Sequence, residues 1–169
     1  QNKNILVNSV FSKVHKKYDV MNDLMSFGIH RLWKKNLIDR INPQKNENVI
    51  DVASGTGDLA ILLNKRLNGQ ATINCVEPNN NMLLVGKEKL KHLKNIHWNL
   101  ASAEKLPFKN ESFDIYTISF GLRNVGDINK SLKEANRVLK TGGRFFCLEF
   151  SKVENEFLNS IYSTYSKLI

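Results

Sequence analysis

The stretch from Val49 to Asp58 constrains the fold more than any other part of the sequence. A short apolar run around Asp51 leads into the turn Ser54-Gly55-Thr56-Gly57, and a helical pattern begins at Asp58. A strand, a glycine turn and a helix N-terminus place several free backbone N–H groups around one point, which suits the polar end of a nucleotide-like ligand. Glycine lets such a ligand lie against the backbone. The stretch therefore predicts an α/β fold with a site for an adenosine-containing cofactor.

The rest of the chain alternates between strand and helix patterns. We predict strands at 48–53, 72–77, 95–100, 113–120 and 143–150, and helices near 57–67, 80–92, 128–139 and 154–169. The strands are nearly continuous apolar runs, as expected of a parallel sheet that is covered on both faces. Right-handed crossovers would give the order 3-2-1-4-5, with a ligand crevice above strands 1 and 4. The fifth strand is too apolar for a bare edge, so we expect a partner strand that is missing from this chain, or another chain.

Two helical patterns, at 4–18 and 30–41, precede the first strand. We expect residues 1–43 to form a helical lid over the carboxyl ends of the strands, and residues 44–169 to form the cofactor-binding core, within one structural domain. Arg31, Lys34 and Lys35 on the second helix are candidates for contact with anionic lipid headgroups, with a solvated basic face as the alternative. The net charge of +9 also favours acidic partners, although scattered lysines in an Asn-rich chain suggest compositional drift.

The cysteines and histidines predict neither a disulfide nor a metal site. Cys75 and Cys147 fall in strands three places apart, which is about 14 Å at ~4.8 Å per strand, too far for a disulfide. We expect both to be buried, reduced thiols in a reducing compartment. The four histidines lack metal-ligand spacing. No apolar run approaches the ~20 residues of a membrane span, and a targeting peptide before Gln1 stays open.

Carboxylates near the glycine turn distinguish between cofactors. Glu77 ends the second strand, where a carboxylate can accept hydrogen bonds from both ribose hydroxyls of an adenosine. Asp51 and Asp58 flank the turn and favour an ammonium-bearing cofactor over a pyrophosphate, which they would repel. We therefore prefer S-adenosylmethionine to NAD, although Gly55-x-Gly57-x-x-Ala60 also fits the dinucleotide fingerprint.

The segment after the fourth strand points to the acceptor. Enzymes that methylate nucleic-acid bases often carry an Asp/Asn-Pro-Pro-aromatic run there, and this chain has Ser119-Phe120-Gly121-Leu122-Arg123-Asn124 instead. Arg123 and Asn124 would place a cation and an amide at the crevice mouth. A cation near a phenol lowers its pKa, and a phenolate pushes electrons onto its ring carbons. An ordinary surface salt bridge is the alternative for Arg123.

Three blocks, residues 11–34, 119–124 and 137–151, closely resemble the UbiE family of ubiquinone/menaquinone biosynthesis C-methyltransferases. The resemblance implies a Rossmann-like class I S-adenosylmethionine-dependent methyltransferase fold whose later C-terminal strands are missing from this chain. It also implies methyl transfer to a ring carbon of a polyprenyl benzoquinol or of demethylmenaquinol. Family members commonly have Gly in place of Ser54, Asp in place of Glu77, and Asn or Asp in place of Ser102.

The residues and the resemblance together give a predicted site. The expected cofactor-binding residues are Asp51, Gly55, Thr56, Gly57, Glu77, Ser102, Ala103 and Ser119. The expected catalytic residues are Arg123 and Asn124, and the expected lid contacts to the substrate are Tyr18, Asn22 and His30.

A polyprenyl substrate implies transient contact with a membrane surface. We expect a cytoplasmic protein, peripheral on the inner membrane face, or a mitochondrial matrix protein if the source is eukaryotic. A quinone-biosynthesis complex and a homodimer stay open as assemblies, and no nucleic-acid partner is expected. Three alternatives stay open for the function: an NAD-dependent dehydrogenase, an RNA methyltransferase, and a non-catalytic S-adenosylmethionine-binding scaffold of a quinone-synthesis complex.

Overall fold

The computed structural model describes the backbone of residues 29–149 and the side chains of residues 31–149. In chain order its elements are α1 (Ile29–Ile41), β1 (Val49–Val52), α2 (Asp58–Arg66), β2 (Ile73–Glu77), α3 (Asn80–Lys89), β3 (Ile96–Leu100), β4 (Phe113–Ser119), a 3-10 turn (Leu122–Asn124), α4 (Ile128–Val138) and β5 (Leu139–Leu148). The predicted helices at 4–18 and 154–169 lie outside the described residues. None of the described helices combines the length and apolarity needed to cross a bilayer.

The described strands form one parallel sheet in the predicted order, β3-β2-β1-β4-β5. β1 lies at the centre and is buried along its whole length. Asp51 on β1 is level with Cys75 on β2 and with Thr117 on β4. Apolar side chains form a core on each face of the sheet, so the central strands carry apolar residues at nearly every position.

α1 is part of one of these cores. Leu37, Ile38 and Ile41 are buried with residues of α2 and of the sheet. Arg144 on β5 fixes the end of this helix, because its guanidinium donates to the carbonyl of Ile41 (2.6 Å) and pairs with Glu47 (2.7 Å). The described part of the predicted lid thus packs on the domain itself. A lid formed by residues 1–28 stays a prediction, since those residues lie outside the described range.

Two predictions for β5 were wrong. The strand begins at Leu139 instead of 143, because α4 ends at Val138 and the chain turns directly into the sheet. The extra residues are absorbed by a register shift opposite Phe113 and Ile115, where Gly142 adopts φ +79°. Cys147 is exposed and not buried, because β5 is an edge strand of the described sheet. Cys75 is buried as predicted, and both thiols are free.

Candidate functional site

The glycine turn is fastened to the two central strands by a serine. The Ser54 hydroxyl donates to the carbonyl of Asp51 (2.6 Å) and accepts from the amide of Val76 on β2 (3.1 Å). The amide of Gly57 then closes the turn on the Ser54 carbonyl (2.9 Å). Gly57 has φ +86°, a conformation that favours glycine, and a Cβ there would lie 2.8 Å from Leu90. The turn is therefore held before any ligand arrives.

Glu77 faces this turn from the end of β2. Its carboxylate is buried and accepts from the amide of Gly55 (2.8 Å) and from the amide of Asn79 (2.9 Å). Burial raises the pKa of the Glu77 carboxyl, and the two amide donors partly offset that rise. Each carboxylate oxygen has a second lone pair. Glu77 can therefore hold the turn and still accept hydrogen bonds from ribose hydroxyls.

Two buried polar atoms beside the turn lack hydrogen-bond partners among the described residues. They are Oδ2 of Asp51 and Oγ of Ser119, and both residues line a pocket at the carboxyl ends of β1 and β4. The other oxygen of Asp51 accepts from the hydroxyl of Thr117 (2.7 Å). Burial raises the pKa of Asp51 to about 7, against the opposing effects of Thr117 and of the Lys34 charge. An unsatisfied buried polar group costs roughly 1–3 kcal/mol, so this pocket is built for a polar ligand.

The prediction that Asp58 would favour an ammonium-bearing cofactor was wrong, because this carboxylate is already paired with two lysines. Its two oxygens lie 3.0 Å from Nζ of Lys34 and 2.7 Å from Nζ of Lys89. Burial opposes ionisation, but the two lysines hold the pKa of Asp58 at about 2. Of the two carboxylates that flank the turn, Asp51 alone has an oxygen without a hydrogen-bond partner within residues 31–149. The preference for an ammonium-bearing cofactor therefore depends on Asp51.

Strained backbone brings the ends of β1 and β4 together. Ala53 and Phe120 follow the two strands, and both have φ +54°. Gly121 allows their close approach, because a Cβ at this residue would lie 2.5 Å from the Cβ of Ala53. Non-glycine residues in this conformation cost free energy and are concentrated at functional sites. Ala53 and Phe120 both line the pocket.

The sequence of this chain matches known proteins along its length. The sequence model of the ubiE/COQ5 methyltransferase family matches residues 1–169. The chain belongs to that family. Similar curated proteins include the ubiquinone/menaquinone biosynthesis C-methyltransferase UbiE of Rickettsia bellii (strain OSU 85-389), which is 53% identical over 170 residues, covering 97% of this chain and 68% of the relative. The UbiE of Rickettsia akari (strain Hartford) is 52% identical over 167 residues, covering 95% and 67% respectively.

Solved structures agree on the fold. The YcgJ protein of Bacillus subtilis superimposes with a TM-score of 0.67 at 25% identity, covering 80% of this chain and 58% of that one. A SAM-dependent methyltransferase from Aquifex aeolicus gives a TM-score of 0.67 at 20% identity, covering 73% and 66%. The predicted family and Rossmann-like fold are confirmed, and the chain is an S-adenosylmethionine-dependent methyltransferase.

In this ubiE/COQ5 methyltransferase the residues fit that cofactor. The glycine turn, Glu77, Asp51 and Ser119 meet at the carboxyl edge of the sheet. Ser102 and Ala103 follow β3, whose last residue, Leu100, is level with Glu77. Ala103 is buried and Ser102 is half-buried. The structure thus brings all eight predicted cofactor residues to one edge of the sheet, with Ser102 and Ala103 beyond the end of β3, where adenine contacts were expected.

The predicted catalytic pair lies on the 3-10 turn after β4, where the surface salt-bridge alternative for Arg123 is realised. Its guanidinium lies 3.0 Å from the carboxylate of Glu149, and its side chain is 43% exposed. The amide of Asn124 donates to the carbonyl of Phe120 (3.4 Å). The catalytic roles of Arg123 and Asn124 stay predictions. Of the predicted lid contacts, Tyr18, Asn22 and the side chain of His30 lie outside the described residues.

Sequence reasoning assigned Lys34 to the wrong place. It was a candidate for contact with lipid headgroups, whereas the structure buries it in the pocket beside the glycine turn, paired with Asp58. A signal was present, because Lys34, Leu37, Ile38 and Ile41 have the i, i+3, i+4, i+7 spacing of one helix face. A lysine at the first position of an otherwise apolar helix face indicates a buried acidic partner. This spacing could have predicted that Lys34 is buried.

Proposed function

We propose that the chain transfers a methyl group from S-adenosylmethionine to a ring carbon of a polyprenyl quinol. The quinol is a benzoquinol of the ubiquinone pathway, demethylmenaquinol, or both. Sequence identity of 53% to a protein named a ubiquinone/menaquinone C-methyltransferase supports this assignment. The structural observation that supports S-adenosylmethionine as the methyl donor is the pair of unpartnered buried atoms, Asp51 Oδ2 and Ser119 Oγ, beside a glycine turn held by Glu77.

The cofactor supplies an electrophilic methyl group on a sulfonium when it is bound. Glu77 would accept from the ribose hydroxyls, and the amides of the turn would contact the polar end of the cofactor. Asp51 supplies a carboxylate oxygen for a cationic group, and Ser119 supplies a hydroxyl from β4. Ser102 and Ala103 would lie against the adenine.

The chain contributes to the reaction chiefly through alignment. Holding a ring carbon in line with a methyl group converts a bimolecular reaction into an effectively unimolecular one, and well-oriented systems gain about 7–11 kcal/mol. Arg123 would stabilise a quinol phenolate at the crevice mouth. Glu149 lies opposite Arg123 and weakens this effect, so the substrate must share the Arg123 charge with an existing partner. The ring carbon would gain the methyl group as the bond from that methyl to sulfur breaks, S-adenosylhomocysteine would be the leaving group, and the ring proton would leave to solvent or a base.

A polyprenyl tail places the reaction at a membrane surface, and we propose that this methyltransferase is a cytoplasmic protein that docks peripherally. The outer face of α1 supports this, since Leu32 is 60% exposed and lies at helical spacing with the exposed Lys35, which in turn lies four residues from the exposed Arg31. Apolar and basic residues on one helix face favour contact with anionic lipid.

A methyl-transfer assay tests the proposed function. Purified protein, labelled S-adenosylmethionine and short-tailed benzoquinol or demethylmenaquinol are incubated together, and products are analysed by mass spectrometry. We expect label on a ring carbon of at least one quinol. A protein that binds S-adenosylhomocysteine but methylates neither quinol would instead be a cofactor-binding scaffold. Methylation of a hydroxyl oxygen would contradict the C-methyltransferase assignment.

A further inference from the structure

α1 delivers a lysine to the cofactor pocket. The side chain of Lys34 is 10% exposed, and its Nζ lies 3.0 Å from Oδ2 of Asp58. Its position is fixed by the helix, whose Leu37 and Ile41 are buried in the core on the same face. Lys34 lines the pocket together with Asp51 and the glycine turn. A lysine that is buried this far is ordinarily there for its charge, because desolvation of an ammonium is costly.

Lys34 is not the only cation that pairs with Asp58 in the described chain. Asp58 is neutralised by Lys89, whose Nζ is 2.7 Å from Oδ1. Lys34 is therefore one of two cations on the Asp58 carboxylate, and its charge also acts on Asp51. Asp51, in the same pocket, has an oxygen without a hydrogen-bond partner in the described chain. The pocket is thus lined by an ammonium whose carboxylate partner has a second cation, and by an unsatisfied carboxylate oxygen.

An α-amino acid is the ligand with the complementary charges. We propose that Lys34 binds the α-carboxylate of the methionine end of S-adenosylmethionine, while Asp51 receives the α-ammonium. This inference rests on the assignment of the cofactor and does not depend on the identity of the acceptor. Lys34 would move from a shared contact with Asp58 to a contact shared with the ligand, and Lys89 would keep Asp58 paired.

Calorimetry with three ligands tests the role of Lys34. S-adenosylhomocysteine carries the whole amino-acid end, its decarboxylated analogue lacks the carboxylate alone, and 5′-methylthioadenosine lacks the entire end. The wild type should bind S-adenosylhomocysteine more tightly than the decarboxylated analogue. Lys34→Met should weaken S-adenosylhomocysteine by about 10- to 100-fold, as expected for a charge-assisted hydrogen bond, and leave the other two ligands within about twofold.

Two further variants control for charge and for structure. Lys34→Arg keeps the cation and should retain most of the S-adenosylhomocysteine affinity. Lys35→Met removes the neighbouring lysine, whose side chain is exposed, and should leave all three affinities unchanged in buffer without lipid. Folding of each variant is checked by circular dichroism and by 5′-methylthioadenosine binding.

Several outcomes would overturn the inference. Equal weakening of all three ligands by Lys34→Met would show that the lysine merely holds the turn through Asp58. Unchanged S-adenosylhomocysteine affinity would show that it has no role in binding. If Lys34→Met does not fold, the wild type still decides, because equal affinity for S-adenosylhomocysteine and its decarboxylated analogue would exclude a carboxylate contact. Loss of methyl transfer alone, with this discrimination intact, would count against the proposed acceptor and not against Lys34.

Discussion

Replacing Asp51 by Asn should stabilise the ligand-free protein at neutral and alkaline pH. The Asp51 carboxyl is buried, and its pKa is raised from 3.8 to about 7 by that burial. Between these values the unfolded chain releases the proton and the folded chain keeps it, so the unfolded state binds fewer protons and stability falls as pH rises. A difference of about three pKa units at 1.36 kcal/mol each gives a loss of about 4 kcal/mol above pH 7. Below pH 4 both states are protonated, and the loss disappears.

The magnitude expected for Asp51→Asn follows from this linkage. The free energy of unfolding at pH 8 should rise by roughly 2–4 kcal/mol. The gain falls short of the full loss of about 4 kcal/mol where the new amide lacks a hydrogen-bond partner. The decline in stability between pH 5 and pH 8 should become much shallower. Glu77, whose pKa is also raised by burial, contributes a slope of the same sign. Affinity for S-adenosylhomocysteine should fall in the same variant, because its ammonium loses a carboxylate.

Urea unfolding, followed by circular dichroism at pH 5 and pH 8, measures both quantities. Asp39→Asn is the matched control, since Asp39 is an exposed carboxylate paired with Arg66 and should leave the wild-type slope between these pH values intact. A wild-type protein that is equally stable at pH 5 and pH 8 would refute the reasoning. So would an Asp51→Asn variant with the wild-type slope, because Asp51 would then be ionised in the folded protein at pH 5.

Three other predictions concern the same edge of the sheet. Gly121→Ala should destabilise the fold by about 1–3 kcal/mol in urea unfolding, because the new Cβ meets the Cβ of Ala53, and wild-type stability would show that the strand ends can separate. Glu77→Ala should weaken S-adenosylhomocysteine by at least about tenfold in calorimetry, since it removes the ribose acceptor and a support of the turn; unchanged affinity would place the ribose elsewhere. Arg123→Ala should lower kcat for quinol methylation and leave the Kd for S-adenosylhomocysteine nearly unchanged, whereas unchanged kcat would remove Arg123 from the mechanism.

The sheet and the turn could be predicted because their signals are local or topological. Apolar runs marked the strands, and right-handed crossovers fixed the order 3-2-1-4-5. Glu77 could be placed at the glycine turn because parallel strands end at one edge. Asp58 could not be judged from sequence, since its partners Lys34 and Lys89 are 24 and 31 residues away in the chain. The exposure of Cys147 was missed because an apolar strand pattern does not say which side of the strand is covered.

The two tryptophans of the chain, Trp33 and Trp98, lie near the pocket wall and the glycine turn respectively. The indole of Trp98 packs on the glycine turn, since a Cβ at Gly57 would lie 3.1 Å from its ring, and it also covers Gly86 on α3. Trp33 lies on α1 with its ring centroid 6.4 Å from that of Phe120, a residue of the pocket wall. Intrinsic fluorescence excited at the indole band should therefore respond to changes at the glycine turn and at the pocket wall, so that unlabelled protein can be titrated optically with nucleoside ligands.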